Sequence, residues 1–195
     1  MRRLLLLLLV SATVAACSTT AVPGQAAPSE AASSTQPGSV PLPTRPRDIA
    51  LDGIDPCALL TAQQRAELGL QGEGVSETSN EPIFTGRNCT FRGYEPQPVV
   101  IGIALATENG IEVITSPGAV NDDLEPITVD GFPAVLARPR VLDFCSVDID
   151  VAPDQFIDVQ LADGGGAQPV PQESLCRDVV EIAEQVVGTL QSLRP

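Results

Sequence analysis

The sequence lacks histidine, lysine and tryptophan, and each absence excludes a kind of chemistry. Without histidine there is no Ser-His-Asp triad, no Cys-His pair and no imidazole metal ligand. Without lysine there is no Schiff-base amine and no phosphate-loop lysine. Aromatic residues make up only 3% of the chain, which removes most of the usual platforms for stacking on sugars.

Positive charge is also scarce. The 195 residues include 11 basic ones, all of them arginine, against 25 aspartates and glutamates, so the formal net charge is −14. Nucleic-acid binding depends on a basic surface that neutralises phosphates. We therefore expect no nucleic-acid partner, and we expect no cofactor.

The first 16 residues have the three parts of an export signal. Two arginines at 2–3 precede seven apolar residues at 4–10, and small residues follow. The apolar run is too short to cross the roughly 30 Å of bilayer hydrocarbon, which makes it a signal rather than a membrane helix.

Residues 14–17, Val-Ala-Ala-Cys, resemble the lipobox of bacterial lipoproteins, which is cleaved just before its cysteine. By that resemblance Cys17 becomes the first mature residue and carries a thioether-linked diacylglycerol. Acyl chains contribute ~0.8 kcal/mol per buried methylene, and two or more chains anchor stably. We expect a lipoprotein anchored on the extracytoplasmic side of the cell membrane, with a mature net charge of −16. The alternative is an ordinary signal with an incidental cysteine.

Composition divides the mature chain into two parts. Residues 17–47 are mostly Ala, Ser, Thr, Pro, Gly and Gln without periodicity, which is typical of a disordered tether. Residues 48–195 have the size of one ordinary domain.

Helix signals lie at the two ends of this domain. Asp55 and Pro56 form an N-cap and first-turn pair, and Thr61 begins a capping box. These signals predict a short helix over 57–68, or two turns with a kink at Thr61. A stripe of apolar residues at spacings of three and four predicts a long amphipathic helix over 172–193.

Strand patterns fill the middle of the domain. Short apolar segments at 89–91 and 99–106 precede two hairpins, at 127–137 around an Asp-Gly turn and at 144–161. In the second hairpin apolar residues alternate with acidic ones, which predicts one buried and one solvent-exposed sheet face. The predicted fold class is α+β, an antiparallel sheet packed against a short N-terminal helix and a long C-terminal helix.

Four of the five cysteines remain after Cys17 is assigned to the lipid. An even number in an exported, oxidising compartment predicts two disulfides. Three connectivities are possible, and we prefer the sequential one because each bond would tie a helix to a strand. Its bonds are Cys57–Cys89 and Cys145–Cys176. The alternative, a tetrahedral zinc site, lacks local C-x-x-C-like pairs.

Acidic residues are the remaining candidates for a site. Asp148, Asp150 and Asp158 are expected on the exposed sheet face, with Asp148 near Asp158 across the hairpin. Such like charges repel, and a calcium ion could relieve them, so the three are weak metal candidates. The favoured alternative is a solvated acidic face. The acidic segment 121–125 is expected to be a solvated loop, and no catalytic residue is predicted.

Several motifs resemble an actinobacterial cell-envelope lipoprotein family of unknown function, domain of unknown function 3558. The resemblance begins with D-P-C-A-L-L-T at 55–61 and L-G-L at 68–70 and covers roughly 55–193. It continues at Cys89, Asp130-Gly131, Cys145 and Cys176. One departure is Phe91, where the family commonly has tryptophan. The resemblance implies a location, two disulfides and a fold, and it implies no activity.

We therefore expect a non-catalytic module that binds or senses a ligand in the envelope, held between the sheet and helix 172–193. The alternative is a structural lipoprotein that docks an envelope protein through its acidic surface. A carboxylate-based hydrolase is less favoured, because no acid has a recognisable catalytic setting. A deep apolar pocket beneath helix 172–193 would favour the first function, and a filled core with a flat exposed patch the second.

Overall fold

The structure, a computed structural model, describes residues 39–81 and 83–195. The predicted signal peptide, Cys17 and residues 18–38 of the predicted tether lie outside this range. The strands in the described part are β1 (Leu70–Asn80), β2 (Thr85–Gly93), β3 (Val99–Ala106), β4 (Asp123–Val129), β5 (Phe132–Arg138), β6 (Phe144–Ala152) and β7 (Gln155–Asp163). They form one antiparallel sheet in the order β1-β2-β3-β7-β6-β5-β4.

The helices begin and end close to the predicted positions. They are a 3₁₀ turn (Pro56–Leu59), α1 (Ala62–Glu67), α2 (Glu112–Thr115) and α3 (Gln172–Leu193). The predicted kink at Thr61 is confirmed, since its side chain accepts from the Gln64 N–H while the Gln64 side chain accepts from the Thr61 N–H. None of the described helices is long and apolar enough to cross a membrane. The α+β class is confirmed, and α2 was not predicted.

The sheet side that faces α3, here called the inner face, carries the main core. The α3 stripe packs against β6 and β7, and Val179, Ile182 and Val186 are at most 3% exposed. Leu193, which the periodicity placed in the same stripe, is 49% exposed at the end of the helix. Each fully buried side chain of this size stabilises the fold by about 1.5–3 kcal/mol.

Both disulfides and the Asp-Gly turn follow the sequence prediction. Cys57–Cys89 joins the 3₁₀ turn to β2, and Cys145–Cys176 joins β6 to α3. At the tip of the β4–β5 hairpin φ is +46° at Asp130 and +86° at Gly131. Positive φ at both central positions is what a type I′ turn requires.

The opposite side of the sheet, the outer face, is not solvated along its whole length, so the predicted exposed face is wrong in part. A second apolar cluster covers its β5–β7 end. The members of this outer cluster are Ala106, Ile111, Ile114, Val135 and Phe156, with Val40, Leu42, Ile83, Phe84, Val113, Val120 and Leu124 packed against them. The connections around α2 and the segment before residue 48 supply most of this cover.

The folded part of the chain extends to the N-terminal side of residue 48. The Val40 N–H donates to the Thr115 carbonyl at 3.2 Å, and Arg45 forms an ion pair with Asp150. Val40 and Leu42 are the apolar residues of an otherwise proline-rich segment, and they lie against the outer cluster. Composition predicted a tether here, because composition alone does not show which side chains pack against an apolar surface.

Two strand segments were not predicted. β1 contains Gly72 and Gly74 and lacks apolar alternation, so its pairing with β2, with an irregularity between Gln71 and Val75, is set by backbone hydrogen bonds. Of the acidic segment 121–125, predicted to be a solvated loop, residues 121–122 lie outside the strands, whereas Asp123–Glu125 begins β4. Its acids point to solvent from an edge strand, where Glu125 pairs with Arg138 at 2.7 Å.

Candidate functional site

Asp148 on β6 and Asp158 on β7 are direct register partners, so the predicted proximity is confirmed. The predicted exposure is wrong, because each residue is only 2% exposed. The outer cluster encloses the part of the outer face on which they lie. The molecule thus holds two buried carboxyl groups side by side, an arrangement that costs free energy when both are ionised.

The two carboxyl groups differ in the hydrogen bonds that they accept. The Gln160 Nε2 donates to Asp158 Oδ2 at 2.6 Å, and Asp148 and Asp158 share a hydrogen bond. Asp148 Oδ1 has no hydrogen-bond partner among the described residues. Asp158 is therefore the better satisfied acceptor, and Asp148 is the member that carries the proton.

Burial shifts the proton affinity of both groups upward. It raises the pKa of Asp158 to about 7, against the lowering effect of the hydrogen bonds with Gln160 and Asp148. Burial also raises the pKa of Asp148 well above its usual range, and the negative charges of Asp158 and Asp122 add to this effect. The pair therefore retains at least one proton at neutral pH.

A cavity of about 300 Å³, here called the outer recess, opens beside Asp158. Its floor lies where β3 presents the small residues Gly102 and Ala104 on the outer face, which are the register partners of Gln160 and Asp158. Because these two residues are small, the larger side chains of β2 and β7 stand on either side of a gap. The residues around it are Glu77, Ser79, Phe84, Asn88, Cys89, Thr90, Gly102, Ile103, Ala104, Asp158 and Gln160.

One row of register partners crosses the recess from strand to strand. In the order β1, β2, β3, β7, β6 its members are Glu77, Asn88, Ala104, Asp158 and Asp148. Side chains in such a row share one face of the sheet. Asp158 lies at the inner end of the recess and Glu77 at its outer rim, while Asp148 lies beyond Asp158 and does not line the recess.

A wider groove of about 530 Å³ adjoins the recess and shares Glu77 and Thr90 with it. Positive φ at Gly72 and Gly74 sets the irregular path of β1 along this groove. Tyr94, the only tyrosine of the chain, lines it and is 53% exposed. The recess therefore continues outward into a polar groove with an aromatic side chain on its wall.

Asp150, the third predicted metal candidate, does not join the Asp148–Asp158 pair, because it has an ion-pair partner of its own. Arg45 Nη1 donates to Asp150 Oδ1, and the same arginine pairs with Asp48. Burial raises the pKa of Asp150, while its contact with Arg45 acts in the opposite direction. In residues 39–81 and 83–195 no three acidic or cysteine side chains are grouped as metal ligands would be. Cys17 lies outside this range.

Sequence reasoning did not identify Gln160, Asn88, Glu77 or Arg45 as site residues. Gln160 follows Asp158 by two positions and so shares its face, which is a local signal. The other three meet the pair only through strand order and through the path of the N-terminal segment. Nothing local in the sequence marks them.

Comparison with known proteins gives one match. Residues 12–189 match a family described as "Protein of unknown function (DUF3558)". No curated protein and no solved structure matches the chain.

Proposed function

Because the chain belongs to the DUF3558 family, whose description assigns no activity, we propose a function from its own geometry. The protein is a non-catalytic binding module, lipid-anchored in an actinobacterial cell envelope, and it holds a small polar ligand in the outer recess.

The observation that carries this proposal is the outer recess itself. Its volume of about 300 Å³ lies at the lower end of the range typical of small-molecule sites. A small number of polar groups converge on it, and one of them, Asp158, is almost fully buried. Burying a carboxyl group at the end of a cavity costs stability, and a ligand that bonds to it offsets that cost.

The proposed site lies on the opposite side of the sheet from the one that the sequence favoured. Between α3 and the sheet, buried side chains such as Val179, Val186 and Val159 fill the space. The outer face is only partly covered, and the recess lies at the edge of that cover. A ligand is therefore placed over β2, β3 and β7.

The arrangement favours binding over catalysis. Glycoside hydrolysis with two carboxyl groups needs both acids to flank the bond, roughly 5–9.5 Å apart. Only Asp158 of the buried pair lines the recess. The next acid in its row, Glu77, is three strands away, about 14 Å at the backbone by the usual strand spacing.

Native mass spectrometry tests the binding function. We expect the full chain, purified in mild detergent from its own membrane, to carry a small molecule. Gly102→Val adds side-chain volume to the floor of the recess and should remove that mass. An added Cβ at this position lies 3.7 Å from the nearest side-chain atom, which is ordinary van der Waals contact, and circular dichroism checks that the valine variant folds.

Thr128→Val is the matched control. Thr128 is exposed on β4. The substitution also introduces a valine into the sheet, several strands away from the recess, and should leave the bound mass in place. A co-purified molecule that persists equally in both variants would contradict the proposed site.

The lipid anchor has its own test. We expect the mature chain to begin at Cys17 and to carry the mass of a diacylglycerol on that residue. Cys17→Ser should move the protein from the membrane fraction to the soluble one. Recovery of the variant in the membrane fraction would show that something other than this lipid holds it there.

One observation favours docking to an envelope protein as a second function. Val141 and Leu142 are consecutive and 62% and 68% exposed. Gln172 holds the loop that carries these two residues, because its side-chain amide donates to the carbonyl oxygens of Pro139 and Val141. If docking is the main function, Val141→Ser with Leu142→Ser should abolish an in-membrane cross-link that Gly102→Val leaves unchanged.

A further inference from the structure

We propose that the ligand of the outer recess is an aliphatic amine, and that its ammonium group binds Asp158 in exchange for a proton of the Asp148–Asp158 pair. This inference rests on the proposed binding function and specifies the chemical class of the ligand. The lining groups, the burial of the pair and the length of the recess support it.

The lining of the recess is rich in acceptors and carries negative charge. Asp158 and Glu77 supply carboxylates, and none of the described residues that line the recess is basic. Because the Gln160 Nε2 already donates to Asp158, its amide oxygen remains as an acceptor. A ligand that fits this lining must donate hydrogen bonds and carry positive charge, and an anion would be repelled.

The buried pair gives the ammonium group a role that a neutral donor does not fill. Without a ligand, a proton keeps the pair from carrying two buried charges. An ammonium group that donates to Asp158 supplies the compensating positive charge. At pH 6.5 the Asp158 carboxyl is itself largely protonated, because burial raises its pKa to about 7. On binding, the O–H bond of Asp158 breaks, its proton leaves to solvent, the ammonium N–H···O contact replaces it, and Asp148 keeps its own proton.

The charged groups around the pair do not supply this compensation. Asp122 acts on Asp148 with the same negative sign, and Glu77 stands across the recess from Asp158. Arg45, which pairs with Asp150 on β6, is also engaged by Asp48, and Arg92 lines the adjoining groove and not the recess. A cation from outside is therefore the remaining source of positive charge for Asp158.

An organic ammonium fits better than a metal ion. Calcium takes six to eight oxygen ligands, whereas an ammonium group has three donors to satisfy. No group of three metal-ligating side chains occurs in the part of the chain that the structure describes. The row from Asp158 to Glu77 spans three strand spacings, roughly 14 Å at the backbone. A linear polyamine can place one ammonium group at each end of this distance.

Isothermal titration calorimetry of the full chain in detergent tests the inference with spermidine as the probe. Butane-1,4-diol serves as the neutral control and glutarate as the anionic control. We expect spermidine alone to bind. The heat at pH 6.5 should differ between phosphate and MES buffers, whose ionisation heats differ, because binding releases a proton. Affinity should weaken as the pH falls from 8 to 5, by up to about tenfold per unit.

Two variants separate the recess from general surface charge. Asp158→Asn should weaken spermidine binding at least tenfold and remove the buffer dependence of the heat. Glu181→Gln loses the same charge from an exposed position on α3 and should change neither. Since Asp158→Asn removes a buried charge, we expect it to fold, and circular dichroism checks this. Gly102→Val is the second variant, and it should also abolish binding.

The outcomes separate this inference from the proposed function. If a neutral or anionic compound co-purifies and is lost in Gly102→Val, the binding function stands and the amine is overturned. The amine is also overturned if calcium binds and spermidine does not, or if Asp158→Asn and Glu181→Gln weaken spermidine equally. If nothing co-purifies and no probe binds, both proposals fail.

Discussion

At the scale of single residues, the buried Asp148–Asp158 pair makes the stability of the protein depend on pH. The pKa of both groups is raised in the folded protein, whereas in the unfolded chain each titrates near 4. The folded state therefore binds protons more tightly than the unfolded state. The stability that comes from this pair is complete below about pH 4 and is lost as the pH rises towards 7.

Asp158→Asn should reduce this loss, because only Asp148 of the pair then remains to ionise. We expect the variant to have a higher free energy of unfolding than the unchanged protein at pH 8, by about 1–3 kcal/mol, and a smaller difference at pH 4. Urea denaturation at several pH values measures both. Glu181→Gln is the control and should not change the pH dependence. A variant that is less stable at pH 8 would show that the carboxylate is satisfied as it stands.

Arg45 is the second residue with a predicted effect on stability, and the burial of its partner Asp150 determines the size of that effect. Its side chain and that of Asp150 are 22% and 14% exposed, so Arg45→Gln leaves a largely buried carboxylate without its cation. We expect a loss of about 1–2 kcal/mol at pH 7, and a smaller loss at lower pH, because burial raises the pKa of Asp150 and protonation removes its charge. Arg177→Gln breaks an exposed pair with Asp178 and should cost under about 1 kcal/mol. Equal losses in the two variants would contradict this account.

Among the elements, β1 depends closely on one backbone position, Gly74. Gly74 has φ +86°, and a Cβ there would lie 2.6 Å from both Cys89 Sγ and the Phe91 ring. Gly72 has a similar φ of +76° but open space around it. The two glycines therefore share the backbone strain of a substitution and differ in the clash.

We expect Gly72→Ala to cost about 1–2 kcal/mol, from backbone strain alone. Gly74→Ala should cost a further 1–3 kcal/mol or so, because the core under β2 must move. Chemical denaturation of both variants measures the difference. If the two are equally stable, the path of β1 is not held by contact with the inner core.

At the scale of the whole molecule, the sheet is packed on both faces at its β5–β7 end, and the N-terminal segment belongs to the cover of the outer face. A chain that begins at residue 48 loses Val40, Leu42 and the Arg45–Asp150 pair. We expect it to be less stable than a chain that begins at residue 39 by about 2–4 kcal/mol. Thermal unfolding of the two chains compares them. Equal stability would mean that residues 39–47 act only as a tether.

The shorter chain should also expose the outer cluster around Phe156 and Val135. Increased fluorescence of a hydrophobic dye measures this exposure. A chain that begins at residue 39 but carries Val40→Ser and Leu42→Ser should keep much of this increase in dye fluorescence. The reason is that the apolar contacts, and not the length of the chain, provide the cover.

The sequence by itself determined the features that depend on neighbouring residues. The cap at Asp55, the capping box at Thr61, the turn at Asp130-Gly131 and the α3 stripe each require only side chains a few positions apart. The disulfide pairing was the preferred one of three and is confirmed. Inner-face alternation in β6 and β7 was also visible, since the strand period of two is local.

Only the tertiary structure decided which faces are buried and which acids meet. Alternation predicts two different faces, but whether the polar one is solvated depends on distant segments such as residues 39–47. The same alternation placed Asp148, Asp150 and Asp158 together, while strand order and the path of the N-terminal segment gave them different partners. A buried carboxyl pair arises when separate parts of the chain close over one face, and no local pattern records that closure.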